Sequence, residues 1–140
     1  MSIGEHIKGL AHIGIPVIDF ESAHAFYNAL GFEDADKVRF IGDSERRCVF
    51  VRRDSVTLEL YESVFEGYGG VIDHVALAVD DVDAALAEAV SDKDLELLYG
   101  GTSGVENEEW HSRFFTVKTS DGEKIEFNQT TVLDPRCFSK

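Results

Sequence analysis

The chain has 140 residues, 44% of them hydrophobic, which predicts one globular domain over residues 1–140 with a sizeable core. Its 27 acidic and 13 basic residues give a net charge of −14, so nucleic acid and anionic membranes are excluded as expected partners. No apolar run approaches the roughly 18 residues of a membrane span. A cytoplasmic protein is expected, because the N-terminus lacks a signal-peptide pattern and two distant cysteines do not make a disulfide framework.

One short pattern occurs twice along the chain. The first copy is His-Ile-Gly-Ile-Pro-Val at 12–17, and the second is His-Val-Ala-Leu-Ala-Val at 74–79. His74 follows His12 by 62 residues (74 − 12), and each copy is followed at the same spacing by an aspartate able to cap a helix. Because two copies are too few for a solenoid, the pattern predicts a duplicated module.

The first module, residues 8–62, is predicted to form a strand, a helix and three further strands. Residues 9–17 alternate large apolar residues with small or polar ones, as a half-buried strand does. Asp19 is a candidate N-cap, and apolar residues at spacings of three and four predict an amphipathic helix over 20–30. The three strands that follow are predicted at 37–41, 46–53 and 55–62.

The second module, residues 71–129, repeats this order after a glycine-rich join at 63–70. A strand is predicted at 72–79, and a helix capped by Asp81 at about 82–91. The later strands are predicted at 95–99, 111–118 and 123–129, with a turn at 120–122. A flexible loop is expected at 100–104, extended by the acidic stretch 106–109, and a loosely docked or mobile tail at 130–140.

Side-chain alternation places one histidine and one glutamate of each module on the same face of its sheet. In the first strand of each module the bulky residues should pack under the helix, which turns His12 and His74 to the opposite face. In the last strand of each module the flanking apolar residues are core-facing, which turns Glu59 and Glu126 away from the helix as well. Glu126 follows Glu59 by 67 residues (126 − 59), so the glutamate offset differs from the histidine offset only by a loop insertion.

Two neutral imidazoles and two carboxylates balance the charge of a divalent cation. Mixed nitrogen and oxygen donors suit Zn, Ni, Co, Mn or Fe(II). The predicted metal ligands are therefore His12, Glu59, His74 and Glu126. Four protein ligands in an octahedral sphere leave two positions for water or a bidentate substrate. Small residues on the same face leave room for a cavity over the metal: Gly14, Pro16, Ala76 and Ala78.

These motifs resemble those of the vicinal-oxygen-chelate superfamily, which includes glyoxalase I, fosfomycin- and bleomycin-resistance proteins, methylmalonyl-CoA epimerase and extradiol dioxygenases. The resemblance covers about residues 8–129 and rests on four stretches: HIGIPV, TLEL, DHVALAVDD and SDGEKIEF. It implies an α+β fold in which two βαβββ modules form curved mixed sheets around a metal cavity. Small members of the family often pair modules across chains, so a homodimer is expected. The ligand pattern is closest to that of glyoxalase I.

The resemblance implies a glyoxalase-like lyase or isomerase that binds a small substrate through two neighbouring oxygens and transfers a proton. Glu126 or Glu59 would then be the catalytic base. Pro16 stands where glyoxalase I has an arginine, and no asparagine follows Glu59 closely, which argues against glutathione as co-substrate. Two alternatives stay open: a non-catalytic small-molecule-binding protein of the resistance type, and an Fe(II) ring-cleaving dioxygenase.

Three further residues are candidates for substrate binding: Arg52, His111 and Arg113. The arginines of the 46–53 strand stand out in so acidic a chain, and one that reaches the cavity would suit an anionic substrate. His111 opens a strand beside that of Glu126 and is in reach of the predicted pocket. His6 is expected on the surface near a loose terminus.

Overall fold

The computed structural model describes residues 2–63, 72–120 and 124–138. It divides into two compact units, each of which contains one copy of the repeat. The first-repeat unit comprises His12–Asp73 and Pro135–Lys140. The second-repeat unit comprises Met1–Ala11 and His74–Asp134. The single domain over 1–140 and its module bounds, 8–62 and 71–129, stay predictions.

Two predicted connections fall largely where the structure is not described: the join, apart from Ser63, and the turn at 120–122, apart from Ser120. Each unit combines parallel and antiparallel strand pairs with one α-helix, so the α+β class is confirmed. Neither helix in the described ranges is long and apolar enough to span a membrane.

The first-repeat unit forms a sheet with one helix packed against it. Its elements are the second half of β1 (Ile7–Val17), α1 (Phe20–Ala29), β2 (Glu33–Asp34), β3 (Arg39–Phe40), β4 (Arg47–Arg53) and β5 (Val56–Glu62). β1 is parallel to β5, and β4 is antiparallel to β5, β2 and β3. As predicted, Asp19 caps α1, because its carboxylate accepts a hydrogen bond from the Ser22 backbone N–H at 3.0 Å.

Alternation along these strands decides which residues pack under α1. Ile13 lies beside Leu58 and Ile15 beside Leu60 in the β1–β5 register. All four belong to or pack against the core that contains Phe20 of the helix. The residues between them point the other way, since successive side chains of a strand alternate in direction. That other face carries His12 and Glu59.

The second-repeat unit repeats this arrangement. Its elements are the first half of β1, β6 (His74–Val79), α2 (Val82–Val90), β7 (Glu96–Leu97), β8 (Ser103–Glu106), β9 (Trp110–Lys118) and β10 (Lys124–Val132). β6 is parallel to β10, and β9 is antiparallel to β10, β7 and β8. Asp81 caps α2 through the Ala84 backbone N–H at 3.0 Å, as predicted. Phe115, Val117 and Phe127 pack under the helix.

Two predictions near the end of the chain are wrong. The expected loop at 100–104 and its extension overlap β8, which pairs with β9 from Ser103 to Glu106. This strand is short and contains a glycine, so its pairing is set by β9 and not by local propensity. The expected tail begins too early, because residues 130–132 continue β10 and pair with β9.

His6 is not the surface residue that its position near the N-terminus predicted. Its side chain is buried, with 6% of the residue exposed, at the end of a short 3-10 helix, Ile3–His6. His6 Nδ1 lies 3.0 Å from Asp80 Oδ1, and Lys8 Nζ lies 3.5 Å from Asp80 Oδ2. These contacts lower the pKa of Asp80, the hydrogen bond from His6 most of all. A local pattern cannot show this pairing, since the partners are 74 residues apart.

Candidate metal centre

The first-repeat unit brings His12 and Glu59 together on the face away from α1. His12 lies on β1 and Glu59 on the adjacent parallel strand β5, where Gly14 is the register partner of Glu59. His12 Nε2 is 3.6 Å from Glu59 Oε1. The histidine is 4% exposed, and its ring meets the edge of Phe50 with centroids 5.0 Å apart. The imidazole thus packs on an aromatic ring and has a carboxylate nearby.

The other oxygen of Glu59 faces a cation that the sequence did not predict for the site. Arg39 Nη2 is 3.9 Å from Glu59 Oε2, and Arg39 Nε is 3.6 Å from Asp36 Oδ2. The guanidinium also lies over the Phe50 ring, 5.6 Å from its centroid. Asp36 is buried and accepts a hydrogen bond from the Phe50 backbone N–H at 2.8 Å. No local motif marks Arg39 for the site, because Phe50 and Glu59 come from other strands.

The second-repeat unit brings its own histidine and glutamate together in the same way. His74 opens β6, and Glu126 lies on the parallel strand β10 beside Ala76. His74 Nε2 is 3.6 Å from Glu126 Oε1, the same separation as in the first-repeat pair. The two side chains are 11% and 10% exposed, so this pair is almost entirely enclosed.

Burial governs the ionisation of Glu126. Desolvation is the largest cause and raises the pKa of this carboxyl, while His74 and a hydrogen bond from Asn128 act in the opposite direction. Asn128 Nδ2 donates to Glu126 Oε2 at 3.0 Å. Asn128 lies two residues after Glu126, so strand alternation was a usable signal that both share a face.

Each of the two units therefore contains one imidazole nitrogen and one carboxylate oxygen that lie 3.6 Å apart. That separation is longer than a hydrogen bond. It is close to the spacing of two ligands on one cation, since atoms about 2.1 Å from a metal and 90–110° apart lie roughly 3.0–3.4 Å from each other. The donor types also suit a borderline divalent cation, so the chemistry of both pairs fits a metal.

A model of the Glyoxalase/Bleomycin resistance protein/Dioxygenase superfamily matches residues 9–127. The chain belongs to this superfamily. This confirms the family that the repeat resembles, whereas closeness to glyoxalase I stays a prediction. A comparison with curated proteins finds no match.

Solved structures of the superfamily share the fold at low identity. Methylmalonyl-CoA epimerase from Mycobacterium tuberculosis is 20% identical with a TM-score of 0.68, over 92% of this chain and 90% of that one. Methylmalonyl-CoA epimerase in complex with methylmalonyl-CoA and NH4+ is 23% identical with a TM-score of 0.71, over 91% and 98%. A mutant 4-hydroxymandelate synthase from Streptomyces coelicolor is 15% identical with a TM-score of 0.71, over 90% of this chain and 49% of that one.

The three predicted substrate residues lie differently relative to the histidine–glutamate face of their own unit. Arg52 lies on the face of Glu59, but its guanidinium donates to the Asp54 carbonyl at 3.0 Å and to the Thr57 hydroxyl at 3.2 Å. It is thus held by its own hairpin.

His111 and Arg113 lie on the opposite face of the second-repeat sheet from Glu126. Glu126 pairs with Thr116, whereas Arg113 shares the face of the helix-packed Phe115 and reaches Asp83 of α2 at 2.8 and 3.0 Å. His111 shares the face of Arg113, because the two are separated by one residue of β9. The structure therefore does not support their expected place in the pocket.

Proposed function

We propose that the protein is a divalent-metal-dependent, glyoxalase-like lyase or isomerase that moves a proton on a small substrate. The observation that carries the proposal is the pair of matched His–Glu contacts, 3.6 Å in each unit. A chance surface histidine or glutamate would not be expected to recur at equivalent positions of both repeats with the same partner. The superfamily assignment supports the same chemistry.

Both pairs together make the proposed ligand set for one cation, Zn, Ni, Co, Mn or Fe(II): His12, Glu59, His74 and Glu126. The two carboxylates balance its charge, and the two imidazoles bind in their neutral form. A bound cation supplies Lewis acidity, which stabilises negative charge on neighbouring substrate oxygens.

Glu126 is the proposed general base. Burial raises the pKa of this carboxyl above its ordinary value, which makes its carboxylate a better proton acceptor than an exposed one. The enclosed position also keeps water from competing for the proton. Glu126 would take a proton from a carbon next to a carbonyl group and return it to the same or the adjacent carbon. Glu59 is the alternative base that the sequence left open.

Hydrogen–deuterium exchange at an acidic carbon tests this proposal directly. The protein is freed of metal, incubated with Ni, Zn, Mn or Fe(II), analysed for metal, and then mixed in D2O with methylmalonyl-CoA and a panel of α-hydroxy ketones. We expect bound metal and metal-dependent exchange with at least one compound, observed by NMR. Ring cleavage with oxygen uptake by the Fe(II) protein would indicate the dioxygenase instead. Ligand binding without metal uptake would indicate a resistance-type binding protein.

We propose that the protein assembles as a homodimer. One His–Glu pair provides only half of the proposed ligand set, and the second half can come from the same chain or from a second copy. Members of the superfamily that exchange modules between chains motivate the expectation. Light scattering at micromolar concentration should show twice the mass of the 15.6 kDa chain, and a monomer at every concentration would contradict it.

A further inference from the structure

Asn128 stands beside the proposed base but has no counterpart in the first repeat. It lies on β10 two residues after Glu126, where Tyr61 occupies the equivalent position after Glu59. Asn128 and Glu126 are each 8% exposed, and the Asn128 amide donates to Glu126 Oε2 at 3.0 Å. A buried amide–carboxylate hydrogen bond is among the stronger kinds, because one partner is charged.

The orientation of the Asn128 amide is itself held by neighbouring hydroxyls. The Thr130 hydroxyl donates to Asn128 Oδ1 and lies 3.2 Å from the Ser112 hydroxyl on β9. A carboxylate only accepts hydrogen bonds, so the amide nitrogen must face Glu126 while the amide oxygen faces Thr130. A flipped amide would turn its oxygen toward Glu126 and lose the hydrogen bond to that carboxylate. Residues of two strands therefore keep the donor pointed at one oxygen of Glu126.

We propose that Asn128 is a positioning residue that holds Glu126 by Oε2 and leaves Oε1 as the metal-binding atom; this inference rests on the proposed function. Oε1 is the oxygen that lies 3.6 Å from His74 Nε2. With one lone pair of Oε2 engaged by the amide, the carboxylate cannot rotate freely between one-atom and two-atom binding, and the second lone pair of Oε2 is left to accept the substrate proton. Outer partners of this kind orient metal-binding side chains and raise metal affinity.

The first-repeat unit also places a polar side chain beside the glutamate oxygen that faces away from histidine. Glu59 Oε1 faces His12 Nε2 at 3.6 Å, while Glu59 Oε2 faces Arg39 Nη2 at 3.9 Å. Arg39 comes from β3, whereas Asn128 comes from the strand of its own glutamate. In both glutamates the oxygen that faces away from histidine lies beside a polar side chain, Asn128 at hydrogen-bond distance and Arg39 at ion-pair distance, which favours a shared requirement for orientation over accidental packing.

Cobalt binding by position-matched variants tests the inference without relying on turnover. Asn128→Ala is compared with Thr130→Val, which removes the hydroxyl behind the amide, and with Thr131→Val on the exposed opposite face of β10. We expect Asn128→Ala to weaken Co2+ affinity by about 10–100-fold and to alter the visible Co2+ spectrum. Thr130→Val should change the Co2+ affinity and the Co2+ spectrum in the same direction as Asn128→Ala but to a smaller extent. Thr131→Val should match wild type in both measurements. Circular dichroism of each apoprotein checks folding.

The outcomes separate this inference from the proposed function. Wild-type affinity and spectrum in both Asn128→Ala and Thr130→Val would overturn the positioning role while the metal site stands. Equal losses in Thr131→Val would also overturn it, since they would reflect general weakening of β10. Absence of Co2+ binding by wild type would overturn the metal site and the inference together. If Asn128→Ala does not fold, Thr130→Val decides by the same readouts.

Discussion

Glu126→Gln is expected to lose metal binding and proton-transfer activity together. The amide that replaces the carboxylate lacks the negative charge that balances the cation, and it cannot accept a proton as a base. Loss of a general base alone lowers rates by about 10²–10⁴-fold. Metal affinity should fall by more than the roughly 10–100-fold typical of an outer partner such as Asn128. Metal analysis and the deuterium-exchange assay measure the two effects on one preparation.

The metal-free Glu126→Gln variant should nevertheless be at least as stable as metal-free wild type at pH 7. Burial raises the pKa of Glu126 above 4.5, so the folded chain favours the neutral carboxyl. The stability that the neutral form contributes is present below the unfolded pKa and is lost as pH rises through the raised folded pKa. At pH 7, which is above the unfolded pKa, wild type has lost at least part of this stability, whereas glutamine keeps a neutral side chain at every pH. Thermal unfolding of both apoproteins measures this.

His111→Ala is the matched control for Glu126→Gln. His111 lies on the neighbouring strand β9 but on the opposite face of the sheet. Its replacement should leave metal content unchanged, as expected for a histidine with no equivalent in the first repeat. Equal metal content in well-loaded wild type and Glu126→Gln would contradict the ligand assignment.

Phe115→Ala is expected to destabilise the protein by about 3–5 kcal/mol, as large-to-small changes of buried aromatic residues do. Phe115 is 1% exposed and stacks on Phe127 with ring centroids 5.0 Å apart. It packs in the same core as Val82 and Ala85 of α2. Alanine would lose these contacts and leave a cavity that the packed sheet and helix cannot close completely.

Urea unfolding followed by circular dichroism measures this loss, with Phe40→Ala as the control. Phe40 is 60% exposed on β3, so the same substitution there should change the free energy of unfolding by no more than about 0.5 kcal/mol. Similar losses in both variants would contradict a core role for Phe115. A loss confined to Phe115→Ala would also show that the α2 core contributes to global stability.

Local sequence predicts the sheet face on which each of the four proposed ligands lies, because side chains along a strand alternate between the two faces. Large apolar residues alternate with His12, Glu59, His74 and Glu126, and the registers of the two parallel strand pairs bring each histidine beside its glutamate. The two helices could also be predicted from local sequence. A capping aspartate specifies where each helix begins, and apolar residues at spacings of three and four specify its buried face. Duplication strengthened every one of these signals.

The repeat and its periodicities thus determined the order of strands and helices and one histidine–glutamate pair per module, while the resemblance of four short motifs indicated the superfamily and its α+β class. Only the tertiary structure decided which neighbours surround those pairs. Arg39, on the two-residue strand β3, lies near Glu59, and the two hydroxyls next to the Asn128 amide belong to residues of β9 and β10. The same holds for His6 beside Asp80 and for β8 beside β9. Most of these contacts join segments that are distant in sequence, and a local pattern carries no information about which of them meet.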